Sequence, residues 1–265
     1  KGGAGDSAID LRTAADRTLN LVLGCACVTG SSSVMTARKP DGREAWVGLE
    51  SNPEVMTKYA HSLGVAEGWG FSDCWGLDDE ALAMVPTPCV ACIFLYPYSQ
   101  MEARKRALGA SRGEAHKGVW FMQQQVSNAC GAVAIMHAVM NNLDRIGQGS
   151  TFLAGFRDQC AGATAAERAE LFAPAMRQIH ESHAAAGQTD APTPTAELDF
   201  HFVTYVQVDG RVYELDGNND GPLDCGAVGI DGLLKAMVRY VTDHYMAAFP
   251  DSHYSIITLG PRPTP

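Results

Sequence analysis

The sequence predicts an α+β fold in an α-β-α arrangement, a central antiparallel sheet flanked by helices. Three observations predict it. Residues 89–96 (CVACIFLY) form an unbroken apolar run fenced by Pro86, Pro88 and Pro97, which suits a strand buried on both faces. Residues 198–216 hold two runs of β-branched and aromatic residues around Asp209-Gly210, a two-residue hairpin signal. Residues 129–143 are apolar around most of a helical circumference, as a helix enclosed in a core must be.

Taken in order, residues 1–45 are rich in Gly, Ala, Ser and Thr and end in a polar, turn-like stretch, Arg38 to Arg43. They read as a poorly ordered N-terminal extension, with a folded domain spanning 46–262. The chain opens on Lys1 rather than Met, as a trimmed or incomplete N-terminus would. The short apolar stretch 18–28 is a weak targeting signal, because Asp6, Asp10 and Asp16 dilute the basic residues before it. Asn52 and Pro53 open a helix as N-cap and first helical residue, with Val55, Met56, Tyr59, Leu63 and Val65 as its apolar face. Residues 99–117 are polar and read as mobile. In the buried helix 129–143 the apolar side chains are Val133, Ile135, Met136, Val139, Met140 and Leu143.

Thr164 and Glu167 form a capping-box pattern for a helix over 165–180, in which Pro174 should cause a kink or a break. Residues 183–197 (HAAAGQTDAPTPTAE) read as a long flexible loop, of the kind that is usually functional or disordered. The hairpin follows, then a helix over 230–246 and a final strand over 255–259. No internal repeat is visible.

Composition narrows the function. Of 265 residues 46% are hydrophobic and 19% charged, enough apolar material for a full core. No apolar run approaches the ~20 residues of a membrane-spanning helix. Asp and Glu outnumber Lys and Arg by 30 to 20, a net charge of −10, the wrong sign for gripping nucleic-acid phosphates and the right one for a basic partner. The eight cysteines are too sparse for a disulfide scaffold and lack zinc-site spacing, so they read as free thiols in a reducing compartment. Cys89 and Cys92 have redox-motif spacing but sit in an apolar strand, where two core cysteines are the better reading; Cys25 and Cys27 lack partner ligands.

Two features carry chemistry. Cys130 follows a polar segment, Gln124 to Asn128, and opens the most apolar helix, where unpaired N–H groups and the helix dipole favour a thiolate. Against this stands the ordinary role of a cysteine as a small buried hydrophobe. If Asp209-Gly210 makes the hairpin turn, paired positions sum to 419; His201 and Asp216 then share a face as diagonal neighbours, about 7–8 Å apart at the backbone. A His–Asp hydrogen bond is then available to fix the imidazole tautomer. His137, two turns beyond Cys130, is too far to act on the thiol and reads as structural.

Several stretches together resemble a known family. They are Asn52 to Val55, Met84 to Pro86, Gln124 to Gly131, Asn141-Asn142, Gly187 to Pro192, His201-Phe202 and Val208 to Gly217. The pattern Gln-x5-Cys-Gly with His-x14-Asp is similar to that of the ubiquitin carboxyl-terminal hydrolases, the papain-like cysteine deubiquitinases, over residues 46–259. The chain is most like the short members without a C-terminal tail. The resemblance implies a papain-like fold, no metal or organic cofactor, and hydrolysis of small adducts or peptides from the C-terminal glycine of ubiquitin or a ubiquitin-like modifier. It implies Cys130 as nucleophile, His201 as general base and acid, Asp216 as the residue that orients His201, and Gln124 as oxyanion donor beside the Cys130 N–H. It also implies substrate contacts at Asp73, Glu50, Asn52 and Asn128, and a crossover loop at about 180–198 that limits the size of the leaving group. The partner is ubiquitin, with no nucleic acid or membrane; a monomer in the cytoplasm, or also the nucleus, is expected. One departure is the stretch after Gly217, Asn218 to Gly226, which lacks the family's aromatic and predicts a looser turn.

Two other readings compete. A ubiquitin-holding protein with little turnover would carry the same four residues in a misaligned site. A general papain-type peptidase would cleave short peptides.

Overall fold

Chain order gives the elements directly. In the computed structural model the described residues are 37–100, 117–147, 149–184, 187 and 193–262. Two short strands, β1 (Ala37–Arg38) and β2 (Glu44–Ala45), pair with each other. Then come α1 (Pro53–Leu63), β3 (Trp69–Asp73), α2 (Asp79–Ala83), β4 (Ala91–Pro97), α3 (Cys130–Met140), α4 (Leu143–Ile146), α5 (Thr151–Gln159) and α6 (Ala165–Ala184). The chain closes with β5 (Phe200–Val208), β6 (Arg211–Leu215), β7 (Leu223–Ala227), α7 (Gly232–Val241), a π-helical turn (Thr242–Met246) and β8 (Ser255–Pro261).

Strands β3-β8-β4-β5-β6-β7 form one sheet in that order, and every pairing is antiparallel. The apolar run at 89–96 becomes β4, with β8 on one side and β5 on the other. Alternate β4 residues serve opposite faces. Ala91 and Ile93 join one core with α1, α3 and α6; Cys92, Phe94 and Tyr96 join another with α7 and the π-turn. Covering both faces with helices is why this strand reads as continuously apolar. The hairpin register is the one a two-residue turn dictates, with Val208 opposite Arg211 and Thr204 opposite Leu215. Asp209 and Gly210 both have positive φ (47° and 74°), the mirror-image turn that matches strand twist.

Local signals explain the helix starts. Asn52 Oδ1 accepts from the N–H groups of Glu54 and Val55, capping α1. Thr164 and Glu167 make the reciprocal capping box of α6 (2.7 and 3.3 Å). All of α3 except Cys130 is buried. Each such Val, Ile or Met contributes about 1.5–3 kcal/mol, so this helix is the keel of the domain.

Three expectations need correction. Pro174 neither splits α6 nor ends it: the helix is continuous over 20 residues. Phe172, Met176, His180 and Ala184 form a buried i, i+4 stripe on both sides of the proline. Pro174 itself lies on the exposed side, where water can take up the carbonyl left without a donor. For the same reason helix, not loop, occupies 180–184; of the remaining loop, residues 185–186 and 188–192 lie outside the described residues. The last helix is regular only over Gly232–Val241 and then widens into the π-turn.

Of the expected extension, residues 1–36, with Cys25 and Cys27, lie outside the described residues, as do 101–116 of the polar stretch. Residues 37–45 are tied to the domain. Ser127 N donates to Glu44 O (2.8 Å), and Arg177 donates to both Glu44 carboxylate oxygens (3.0 and 2.8 Å).

Candidate active site

Cys130 is the first residue of α3, half-buried, and the helix start has no side-chain cap. Asn128, two residues earlier, holds φ at +61°, a conformation asparagine tolerates better than most residues. Its side-chain amide donates to the carbonyls of Pro194 and Ala196 (2.9 and 3.1 Å), which ties the segment before β5 to the approach to α3. Gly131 packs so tightly that an added Cβ would lie 3.0 Å from Leu49 Cβ.

His201 and Asp216 come from the hairpin. The imidazole Nε2 lies 2.7 Å from Asp216 Oδ1, and the two residues are 5% and 1% exposed. This Nε2 bond leaves Nδ1 for the thiol; His201 is hydrogen-bonded to Cys130. Burial pushes the Cys130 thiol up. The hydrogen bond and charge of His201, with backbone groups of Phe202 and Gly131, outweigh it and leave the thiol below its ordinary value. Burial alone would lower the His201 pKa; the charge and hydrogen bond of Asp216, then those of Cys130, push it up to about 9. Each partner therefore favours the charged form of the other, a thiolate–imidazolium pair.

Gln124 stands beside this group. Its N–H donates to Gly217 O (2.8 Å), and its side-chain Nε2 donates one proton to Val126 O (3.0 Å), leaving a second for a ligand. A Cβ on Gly217 would meet Gln124 Cβ at 2.8 Å, so only glycine lets the residue after Asp216 lie against Gln124. The turn here is not loose as its composition suggested: Asn218 N donates to Asp216 Oδ1 and Asn219 N to Asp216 O, both at 2.9 Å.

A cavity of about 440 Å³ opens beside the sulfur. Leu49, Leu95, Leu198, Phe200 and Phe202 give it apolar walls, and Glu50, Glu197 and Asp199 add carboxylates. Leu198 and Phe200 are 40% and 47% exposed at its rim.

A family model described as "Ubiquitin carboxyl-terminal hydrolase, family 1" matches residues 46–247. The chain belongs to the ubiquitin carboxyl-terminal hydrolase family. Ubiquitin carboxyl-terminal hydrolase of Aplysia californica is 35% identical over 211 residues, covering 78% of this chain and 98% of the relative. The human ubiquitin carboxyl-terminal hydrolase isozyme L1 is 35% identical over 217 residues, covering 80% and 96%. Among solved structures, the Trichinella spiralis UCH37 catalytic domain bound to ubiquitin vinyl methyl ester superposes with a TM-score of 0.64 at 25% identity, covering 82% of this chain and 96% of that one. The resemblance read from the motifs and the α+β fold of a ubiquitin carboxyl-terminal hydrolase thus stand.

The other residues singled out from the sequence are more scattered. Glu50 lines the cavity with Cys130. Asn52 is spent largely on capping α1, and its Nδ2 reaches Glu50 Oε1 at 3.3 Å. Asp73 lies at the end of β3, on the far side of β8 and β4 from the hairpin, where burial raises its pKa. Asn128 faces the loop carbonyls rather than the open cavity. His137 is fully buried, its Nε2 against the Met122 backbone. Cys89 and Cys92 are free, with sulfurs 3.5 Å apart. Sequence reasoning missed the two tyrosines that flank His201: Tyr96 and Tyr98 meet its ring edge-on at 5.8 and 5.3 Å. Tyr96 on β4 and Tyr98 just past it stand two residues apart, a usable signal, but only the β4–β5 register aims them at the histidine. Among the described residues no group of three His, Cys, Asp or Glu side chains is set to hold a metal ion.

Proposed function

We propose that this protein is a cysteine-type ubiquitinyl hydrolase that cleaves the bond after the C-terminal glycine of ubiquitin. The Cys130 thiolate attacks the glycine carbonyl, forming a C–S bond and an oxyanion. Gln124 Nε2 and the Cys130 N–H donate to that oxyanion. His201 then gives its proton to the departing amine or thiol, and the scissile bond breaks. A water, deprotonated by the same imidazole, releases ubiquitin's carboxylate and restores the thiolate. Asp216 holds the ring in the tautomer that both steps need.

The observation that carries this reading is the buried His201–Asp216 pair, whose charge favours a Cys130 thiolate, beside an open cavity that the cysteine lines. That resting alignment supports turnover over a holding role, which was argued from a misaligned site. The carboxylates along the cavity suit a basic peptide tail, and Glu50 is the substrate contact they favour. Asp73, Asn52 and Asn128 are weaker candidates, supported by the family motifs alone. Free thiols at the six described cysteines suit a reducing compartment, the cytoplasm or nucleus.

Steady-state hydrolysis of a fluorogenic ubiquitin amide tests the proposal. Turnover far above that of Cys130→Ala is expected. Turnover equal to that control, with ubiquitin still bound, would make the protein a binder; cleavage of short peptides lacking ubiquitin would make it a general peptidase.

A further inference from the structure

Behind His201 the sheet encloses phenols and carboxylates that the four proposed catalytic residues do not account for. Tyr96 of β4 lies directly across from His201 of β5 and is fully buried. Its ring stands edge-on to the imidazole, 5.8 Å between centroids at 78°. Its hydroxyl is directed at Asp216, with 3.5 Å from oxygen to Oδ2. One side chain thus touches both members of the His–Asp pair.

Asp216 Oδ1 already accepts from His201 Nε2 and from Asn218 N (2.7 and 2.9 Å). The last torsion of an aspartate is intrinsically broad, so each donor on the carboxylate narrows it. A donor on Oδ2 restricts the rotation further. We propose that Tyr96 is a positioning residue of the hydrolase: its hydroxyl fixes the rotation of the Asp216 carboxylate, and its ring sets the plane of His201. The inference rests on the catalytic reading given above. A separation of 3.5 Å is long for O–H···O, and such contacts commonly tighten when a site is loaded. Tyr96 is itself held from behind. Tyr245 stacks on it at 5.9 Å and 15°, and Tyr245 donates to Glu214 Oε2 (2.8 Å). The titratable groups around the contact are His201 on β5, Glu214 on β6, Cys130 and His137 on α3, Tyr98 just past β4 and Tyr245 on the π-turn.

Tyr96→Phe keeps the ring and removes only the hydroxyl. Tyr205→Phe is the control: Tyr205 is equally buried in the same cluster but donates to Glu214 Oε2 (2.6 Å). With the fluorogenic ubiquitin amide, Tyr96→Phe should lower kcat about 3- to 10-fold, the loss expected of one net hydrogen bond, with KM within about twofold. Tyr205→Phe should stay within about twofold of the parent. Alkylation of Cys130 by iodoacetamide, followed by mass against pH, gives a second readout that needs no ubiquitin. There Tyr96→Phe should move the acid limb to higher pH, because an imidazolium held less firmly by Asp216 supports the thiolate less.

Parent-like kcat and an unmoved limb would overturn the inference. So would a limb shifted downward, which would mean the hydroxyl only drains charge from Asp216. So would equal losses in both variants with equal drops in Tm, which would mark a purely structural role. If the parent fails to turn over ubiquitin amide, the catalytic reading fails, and the alkylation profile alone decides whether Tyr96 positions the pair.

Discussion

His201 Nε2 meets Asp216 Oδ1 at 2.7 Å in a pocket that leaves the histidine 5% and the aspartate 1% exposed. The contact spans the open end of a hairpin. The turn residues that set its register, Asp209 and Gly210, lie at the other end of the strands, so local turn chemistry reaches the site through strand pairing. Removing the charge tests it. Asp216→Asn should reduce kcat on a fluorogenic ubiquitin amide by about 10²–10⁴-fold, the worth of a positioned acid–base group, while ubiquitin affinity stays close to the parent. A loss below tenfold would mean His201 needs no partner.

Gln124 should behave differently. Gln124→Ala removes the proposed oxyanion donor and leaves the thiol alone. It should cost about 10²–10³-fold in kcat with little change in KM or in Cys130 alkylation. Gly217→Ala should lower kcat and Tm together, because its Cβ would lie 2.8 Å from Gln124 Cβ and displace that segment. Normal kinetics in either variant would remove Gln124 from the oxyanion role.

The Cys130–His201 pair fixes a pH profile. The thiol sits below its ordinary value and His201 at about 9, so the ion pair exists between the two. Activity should rise with pH through the lowered thiol pKa, hold a plateau, and fall above about 9. Iodoacetamide should modify Cys130 well below the ordinary cysteine range near 8.5. His201→Gln should return that reaction to the ordinary range, and an unchanged profile would show that the histidine does not activate the sulfur.

Two other buried histidines predict an acid limit to stability. Burial lowers His137 and His180 to about 4 each. Unfolded, both would titrate near 6.5, so the unfolded chain takes up protons first as pH falls. The contribution of these two histidines should be level above pH 6.5 and decline between 6.5 and 4, a loss on the order of 3 kcal/mol per histidine at most. His201 adds nothing to that slope, because its raised pKa keeps it charged there; its own contribution is lost as pH rises from about 6.5 to about 9. Urea midpoints taken from pH 7 to 4 check this. His180→Asn should flatten the decline, and an equally steep decline would show that His180 is not held neutral.

Much of this architecture was legible because the signals were local. The hairpin turn, the two N-caps and the apolar β4 run each name their element from adjacent residues, and the hairpin sum placed His201 beside Asp216. The order of β3, β8 and β4 was not legible, because strands 69–73 and 255–261 pair across almost the whole chain. Pro174 misled because its cost depends on which side of α6 faces water, and only tertiary packing decides that. The tyrosines around His201 were hidden in the same way: Tyr96 reads as one more apolar position until β5 is laid beside β4.

Peptide mapping of the adduct formed with ubiquitin vinyl methyl ester tests the central claim most directly. Cross-linking at Cys130 and at no other cysteine, absent in Cys130→Ala and slowed in His201→Gln, is the predicted result. An adduct on another cysteine, or one that persists in Cys130→Ala, would contradict it.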